Sequence, residues 1–323
     1  MNTQRRQWLR LMGVLAAASA WPLRAEDSAP FEVLDLDWED RARQRAVPVR
    51  LHLPHAPQAA QAPQRVPLVV FSHGIGGSRR GYSWLGQHLA RHGVASLHLQ
   101  HVGSDRQVWT GSVLNIVGRL QSAAQDQEAV ARVHDLRFAL DTLLRSEWAP
   151  RIDEQRLVAA GHSYGANTTL LACGARVERS GQLYDLRDER LKAAVVISAP
   201  PFYGEADPGR ILQSVTVPSL HVTSTEDIIR IPGYYSGADD RVAVFDATGS
   251  QRKWLAVFQG GSHSMFTDRA GTGGVSLNPQ VKDASRALVL AFLRQVLDGE
   301  AQGLEQWPQR HAAILARFTA PST

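Results

Sequence analysis

The stretch RLVAAGHSYG, residues 156–165, decides how this chain is read. Its first half is a short apolar run suited to a strand buried on both faces. Its second half, Gly161-His162-Ser163-Tyr164-Gly165, fits G-x-S-x-G and opens a helical run from Ser163. The five-residue pattern is weak by itself in a chain with 26 glycines. Its place between a strand and a helix makes it specific, because a sharp strand-to-helix turn lifts a serine hydroxyl out at the sheet edge. Glycines on either side let the backbone pass close around that turn. The N–H groups of the new helix then face any negative charge that develops on the serine's reaction partner.

Working outward, the same strand-then-helix rhythm recurs. FEVLDLDW (31–38) and VPVRLHLP (47–54) read as two strands, and residues 55–67, rich in Ala, Gln and Pro, as a loop. VPLVVFS (66–72) is a buried strand that ends at His73-Gly74-Ile75-Gly76-Gly77. A helix over 81–92 and a strand over 94–99 follow, then a weakly periodic segment, 103–126. The helix 127–147 carries Val130, Val133, Leu136, Ala139, Leu140 and Leu143 on one stripe. A turn at Asp153-Glu154 precedes the strand 156–162. Further strands are expected at 192–198, 217–223 and 253–258, and helices at 281–297 and 308–318. Alternating strands and helices predict an α/β fold with a mostly parallel central sheet flanked by helices. Functional residues in such a sheet lie beyond the carboxyl ends of the strands.

A serine hydroxyl needs a base, and the base needs an acid to orient it. His263, in Gly260-Gly261-Ser262-His263-Ser264, follows the strand 253–258. Asp227 follows the strand 217–223 and completes the chain order Ser, acid, His, with Glu226 as its neighbouring competitor. Two amides are expected to hold an oxyanion: that of Tyr164, next to the nucleophile, and that of Ile75, in the glycine-rich loop after 66–72. A phosphate-binding reading of that loop lacks the Lys and Ser/Thr of a P-loop. His98 and His101 fall on opposite sides of a strand and make a poor metal pair, so no metal site is expected. His162 reads as a packed strand-end histidine and Cys173 as a buried apolar filler. Trp109, Tyr164, Tyr203 and Phe266 are candidates for the lining of an acyl or alcohol pocket.

The amino terminus explains the charge. Arg5, Arg6 and Arg10 precede an uncharged stretch from Leu11 to Leu23, and small residues end at Ala25. Residues 1–25 read as a secretory signal peptide of twin-arginine type, too short in its apolar part to span a bilayer. Periplasmic or secreted localisation is therefore expected. No cysteine lies near the cleavage region, so a lipoprotein anchor is excluded. Arg5, Arg6, Arg10 and Arg24 account for the whole net charge of +4, and cleavage after Ala25 leaves a neutral protein. No basic block remains, which argues against nucleic acid as a partner. One cysteine in 323 residues excludes an intrachain disulfide.

With these residues placed, the chain resembles serine α/β-hydrolases. Val70-Phe71-Ser72-His73-Gly74-Ile75-Gly76-Gly77 through Tyr82, then Leu89-Ala90-Arg91-His92-Gly93, is similar to bacterial predicted dienelactone hydrolases. That group is related to platelet-activating-factor acetylhydrolases and, more distantly, to cutinase-like polyester hydrolases. The resemblance implies one α/β-hydrolase domain over 26–323, with loop insertions covering the site. It also implies cleavage of a small-molecule or lipid-like ester by Ser163, Asp227 and His263, without a cofactor. A monomer with no membrane anchor after cleavage is expected. True dienelactone hydrolases use cysteine where this chain has Ser163. In the acetylhydrolases the acid follows the strand after the nucleophile helix; here that strand leads to Ser198-Ala199-Pro200-Pro201, which moves the acid to Asp227. The same triad serves amides, peptides, thioesters and polyesters, and a non-catalytic binding protein on this fold is the remaining alternative.

Overall fold

The computed structural model describes residues 31–55, 65–231, 233–268 and 276–321. The signal peptide expected at 1–25 lies outside them. The chain opens with an antiparallel pair, β1 (Phe31–Asp40) and β2 (Arg45–Pro54). Next come β3 (Val66–Ser72), α1 (Ser83–Arg91) and β4 (Ala95–Leu99). Two short 3-10 turns lead into α2 (Ile116–Ala123) and the long α3 (Asp126–Leu143). β5 (Ile152–His162) runs into α4 (Tyr164–Ala172). A hairpin of β6 (Arg176–Arg179) and β7 (Gln182–Asp185) separates α4 from β8 (Leu191–Ile197). α5 (Pro208–Leu212) and β9 (Ser219–Glu226) follow, then a second small pair, β10 (Ile229–Ile231) and β11 (Tyr234–Ser236). α6 (Ala238–Ala247), β12 (Lys253–Ser262), α7 (Leu277–Leu293), α8 (Gln302–Arg310) and β13 (Leu315–Thr319) complete the order.

Nine of these strands form one sheet in the order β1-β2-β4-β3-β5-β8-β9-β12-β13. The strands from β4 to β12 in that order are parallel, and antiparallel partners close both edges. The central strands are apolar throughout because both faces are covered. Leu68 and Val70 of β3 pack into one core with Val133, Leu136 and Leu140 of α3. Val69 and Phe71, alternating to the other side, join Leu85 and Leu89 of α1 and Val281 and Leu288 of α7. Each such fully buried Leu or Val contributes about 1.5–3 kcal/mol over an exposed one.

After β3 the chain steps to one side to form β4, then returns past β3 to form β5 on the other. Strand order thus reverses at β3, which opens a crevice beyond the carboxyl ends of β3 and β5, where α/β sheets place their sites. The loop 73–77 and Ser163 are the segments that leave those two strands.

The structure corrects three local expectations. Asp153 and Glu154, read as a turn, belong to the first residues of β5. The helix expected over 308–318 is instead the end of α8, a 3-10 turn and strand β13. The Ala-, Leu- and Arg-rich composition there favours helix, but β13 satisfies the open edge of β12, and Leu315 and Phe318 pack on the apolar core. Phe266, a candidate pocket residue, is fully buried in that core and does not line the pocket.

Six buried histidines, His52, His73, His98, His101, His162 and His221, make the fold acid-sensitive. Burial is the largest cause at each and pushes the ring pKa down, to about 4 at His52 and about 3 at His101, His162 and His221. In the unfolded chain they titrate near about 6.5 and take up protons that the folded state refuses. Their contribution is complete above that pH and is lost as pH falls towards the folded values. Melting temperature is expected to be flat from about pH 8 to 7 and to drop steadily below about 6.5. A flat profile down to about pH 5 would contradict this.

Candidate active site

Ser163 sits at the turn between β5 and α4 with φ 56° and ψ −126°, a left-handed conformation that favours glycine. The surroundings hold it there. Its amide donates to the Ile197 carbonyl of β8 (2.8 Å), and its own carbonyl accepts from Ala166 (2.8 Å). Both flanking glycines are sterically required. A Cβ on Gly161 would stand 2.1 Å from the Gly165 oxygen, and one on Gly165 would stand 1.9 Å from the Ser72 oxygen. The turn is therefore pressed directly onto the end of β3. Gly165→Ala is expected to cost about 3 kcal/mol or more, because only backbone surrounds the new methyl group. Chemical denaturation of the variant beside the native protein measures that loss.

His263, in the 3-10 turn after β12, brings Nε2 to 2.8 Å from Ser163 Oγ. Its Nδ1 lies 2.6 Å from Oδ1 of Asp227, the residue after β9. Asp227 is fully buried, and its Oδ2 accepts from Thr223 Oγ1 (2.8 Å). The buried Arg241 of α6 places Nη2 3.5 Å from Oδ1. Burial alone would raise the Asp227 pKa. The charge and hydrogen bond of His263, with Arg241 behind, outweigh it and hold the carboxyl well below the usual range. Glu226, the competing acid, is exposed and has no hydrogen bond to His263 among the described residues. Gly260 and Gly261, both left-handed (φ 68° and 83°), bend β12 so that its end meets Ser224 Oγ through the Gly261 carbonyl (2.8 Å).

His162 anchors the base from behind. Its Nε2 is 3.0 Å from the His263 carbonyl, so Nε2 carries the proton, and Nδ1 accepts from the Tyr82 hydroxyl (2.8 Å). Burial, reinforced by the His263 charge, keeps the ring neutral, which fits a fixed tautomer. His162 is thus a packed strand-end histidine whose two ring nitrogens are both engaged.

The loop after β3 lies against the serine. A Cβ on Gly74 would be 3.1 Å from Ser163 Cβ. The Gly74 carbonyl is held by His73 Nδ1 (2.7 Å) and by the Gly77 amide (3.0 Å). The His101 amide donates to His73 Nε2 (3.1 Å), which leaves the ring proton on Nδ1. Because a trans peptide is planar, fixing the Gly74 carbonyl turns the Ile75 N–H the opposite way. The Tyr164 amide is the first of α4, where helical N–H groups have no partner within the helix. Neither amide donates to a turn or loop carbonyl among the described residues.

Ser163 and His263 open into a cavity of about 730 Å³, lined also by Ile75, Trp109, Tyr164, Tyr203, Ile229 and Tyr234. Segments 103–126 and 229–250 supply part of this wall. Trp109 from the turn after β4 donates to the Gly76 carbonyl (3.0 Å). His98 and His101 do separate, but not by alternation along one strand: β4 ends at Leu99, His98 within it stacks on Phe71, and His101 in the loop beyond it pairs with Asp135 of α3 (3.0 Å). Cys173 is buried behind α4, and burial pushes its thiol pKa up to about 12.

Sequence reasoning missed a second buried stripe on α3. Glu128, Arg132 and Asp135 recur at helical spacing beside the apolar stripe and are buried with it. That spacing was the available signal.

The family described as platelet-activating factor acetylhydrolase, isoform II, matches residues 49–110, which contain the loop 73–77 and end before Ser163. Platelet-activating factor acetylhydrolase of Cavia porcellus is 23% identical over 316 residues, covering 80% of this chain. The chain spans 65% of the length of that relative. A ferulic acid esterase from Streptomyces cinnamoneus superposes with a TM-score of 0.60 at 21% identity, over 84% of this chain and 91% of the esterase. The chain has the α/β-hydrolase fold and is similar to the platelet-activating factor acetylhydrolase group.

Proposed function

We propose that this protein is an exported serine hydrolase that cleaves carboxylic esters through Ser163, His263 and Asp227. The observation that carries the reading is one unbroken hydrogen-bond path, Ser163 Oγ to His263 Nε2 (2.8 Å) and His263 Nδ1 to Asp227 Oδ1 (2.6 Å), at the cavity wall. Ser163 Oγ attacks the ester carbonyl as its proton passes to His263 Nε2. Asp227 stabilises the imidazolium, and the Ile75 and Tyr164 amides receive the oxyanion. The tetrahedral intermediate expels the alcohol, which takes the proton from Nε2, and an acyl group remains on Ser163. Water, deprotonated by the same imidazole, releases the acid and restores the enzyme. The names acetylhydrolase and esterase carried by the two relatives support the ester class. Export through residues 1–25 is part of this proposal.

The test is labelling with a fluorophosphonate, followed by peptide mass spectrometry and turnover of p-nitrophenyl butyrate beside the matched anilide. A single adduct on Ser163 and turnover of the ester well above the anilide are expected. An unlabelled Ser163 would support a binding protein, and faster anilide cleavage would reassign the enzyme to amides. Exposed apolar side chains favour a second reading, a lipid-like or polyester substrate. Trp109 (43% exposed) and Ile228 (38%) line the cavity, with Leu114 and Tyr235 exposed nearby in sequence. Faster turnover of a tributyrin emulsion than of dissolved ester would select that reading.

A further inference from the structure

Arg132 of α3 is fully buried, and all three of its guanidinium nitrogens are engaged. Nη2 donates to the His73 carbonyl, at the start of the loop after β3. Nη1 donates to Ser104 Oγ (2.7 Å), beyond β4. Nε donates to Thr168 Oγ1 (2.9 Å), on α4. The Thr168 hydroxyl in turn donates to the Tyr164 carbonyl (3.1 Å), and the guanidinium carbon lies 4.7 Å from the centre of the Tyr164 ring. One side chain therefore bridges the two backbone segments that carry the Ile75 and Tyr164 amides.

We propose that Arg132 is a positioning residue of the oxyanion site, whose fork sets the spacing between the Ile75 and Tyr164 amides. This rests on the ester-hydrolase reading above. Arg132 touches no reacting atom. Its effect runs through the His73 carbonyl on one side and through Thr168 and the Tyr164 ring on the other. The geometry calls for arginine in particular, because the three partners meet three separate nitrogens of one rigid plane, whereas the three N–H groups of an ammonium radiate from a single nitrogen. Burial lowers its pKa to about 10, so the charge persists at neutral pH, supported by Tyr164, Glu128 and Asp135. Glu128 also accepts from Ser104 Oγ (2.8 Å), which fixes that hydroxyl for Arg132. Small displacements of oxyanion donors act on the transition state far more than on bound substrate, so the expected signature is a loss in kcat with little change in KM.

The experiment compares Arg132→Lys, Thr168→Val and Thr168→Ser with the native protein, using p-nitrophenyl butyrate turnover, inhibition by butylboronic acid and circular dichroism. Arg132→Lys is expected to lower kcat about 30-fold or more with KM within about threefold, and to weaken boronate binding by a similar factor. Thr168→Val removes only the hydroxyl that links Nε to Tyr164 and is expected to lose about tenfold in kcat, which Thr168→Ser restores. Should Arg132→Lys fail to fold, the threonine pair carries the test. Folded variants with native kcat, or losses that track only the folded fraction with boronate affinity intact, overturn the inference. A native protein that neither turns over the ester nor is labelled at Ser163 overturns the underlying reading instead.

Discussion

Ser163→Ala is expected to lower ester turnover by about 10⁶-fold, the scale seen when a triad nucleophile is removed. The fold should survive, because alanine suffers the left-handed φ of 56° about as much as serine does. Ser163→Gly makes the same point from the opposite direction. Glycine adopts that conformation freely, so this variant is expected to be inactive yet more stable than the native protein by about 1–2 kcal/mol. Activity and denaturation measured on the same three proteins check both statements. Turnover by Ser163→Ala within about a hundredfold of native would remove the serine from the mechanism.

Asp227→Asn is expected to lower kcat by about 10⁴-fold. An amide cannot balance an imidazolium, and it can present N–H to His263 Nδ1, which favours the wrong tautomer. A structural cost is expected as well. Arg241 is buried beside Asp227, and its Nε and Nη2 have no hydrogen-bond partner among the described residues. Neutralising Asp227 leaves that guanidinium without its counter-charge, a loss of about 3 kcal/mol or more for buried pairs. Kinetics and denaturation should therefore both respond, whereas exposed Glu226→Gln should change neither. Full activity in Asp227→Asn together with loss in Glu226→Gln would exchange the two roles.

The strands were legible because their pattern is local. Runs such as Val66–Phe71 and Leu157–Ala160 are apolar at every position, and only a doubly covered sheet accommodates that. Ser163, Asp227 and His263 followed from their places just past strand ends. Elements defined by distant partners stayed hidden. β13 looks helical in composition and becomes a strand only because β12 offers an open edge. The hairpins β6–β7 and β10–β11 are too short to show a period. Arg132 could not be assigned from sequence, since its three acceptors come from residues 73, 104 and 168.

Those two hairpins are separate two-stranded sheets, not strands of the nine-stranded one. Val177, Arg179 and Tyr184 from the first, and Ile229, Ile231 and Tyr234 from the second, nevertheless form part of the cavity wall. Among the described residues the first hairpin makes no hydrogen bond to Ser163, His263 or Asp227, whereas Ser236 of the second accepts from Arg241, the cation beside Asp227. Lineages descended from such a chain can diversify their diet by exchanging the ten-residue insert 176–185, while changes in 229–236 also reach the acid that orients His263. Directed evolution of a new specificity has the first of these segments as its natural library.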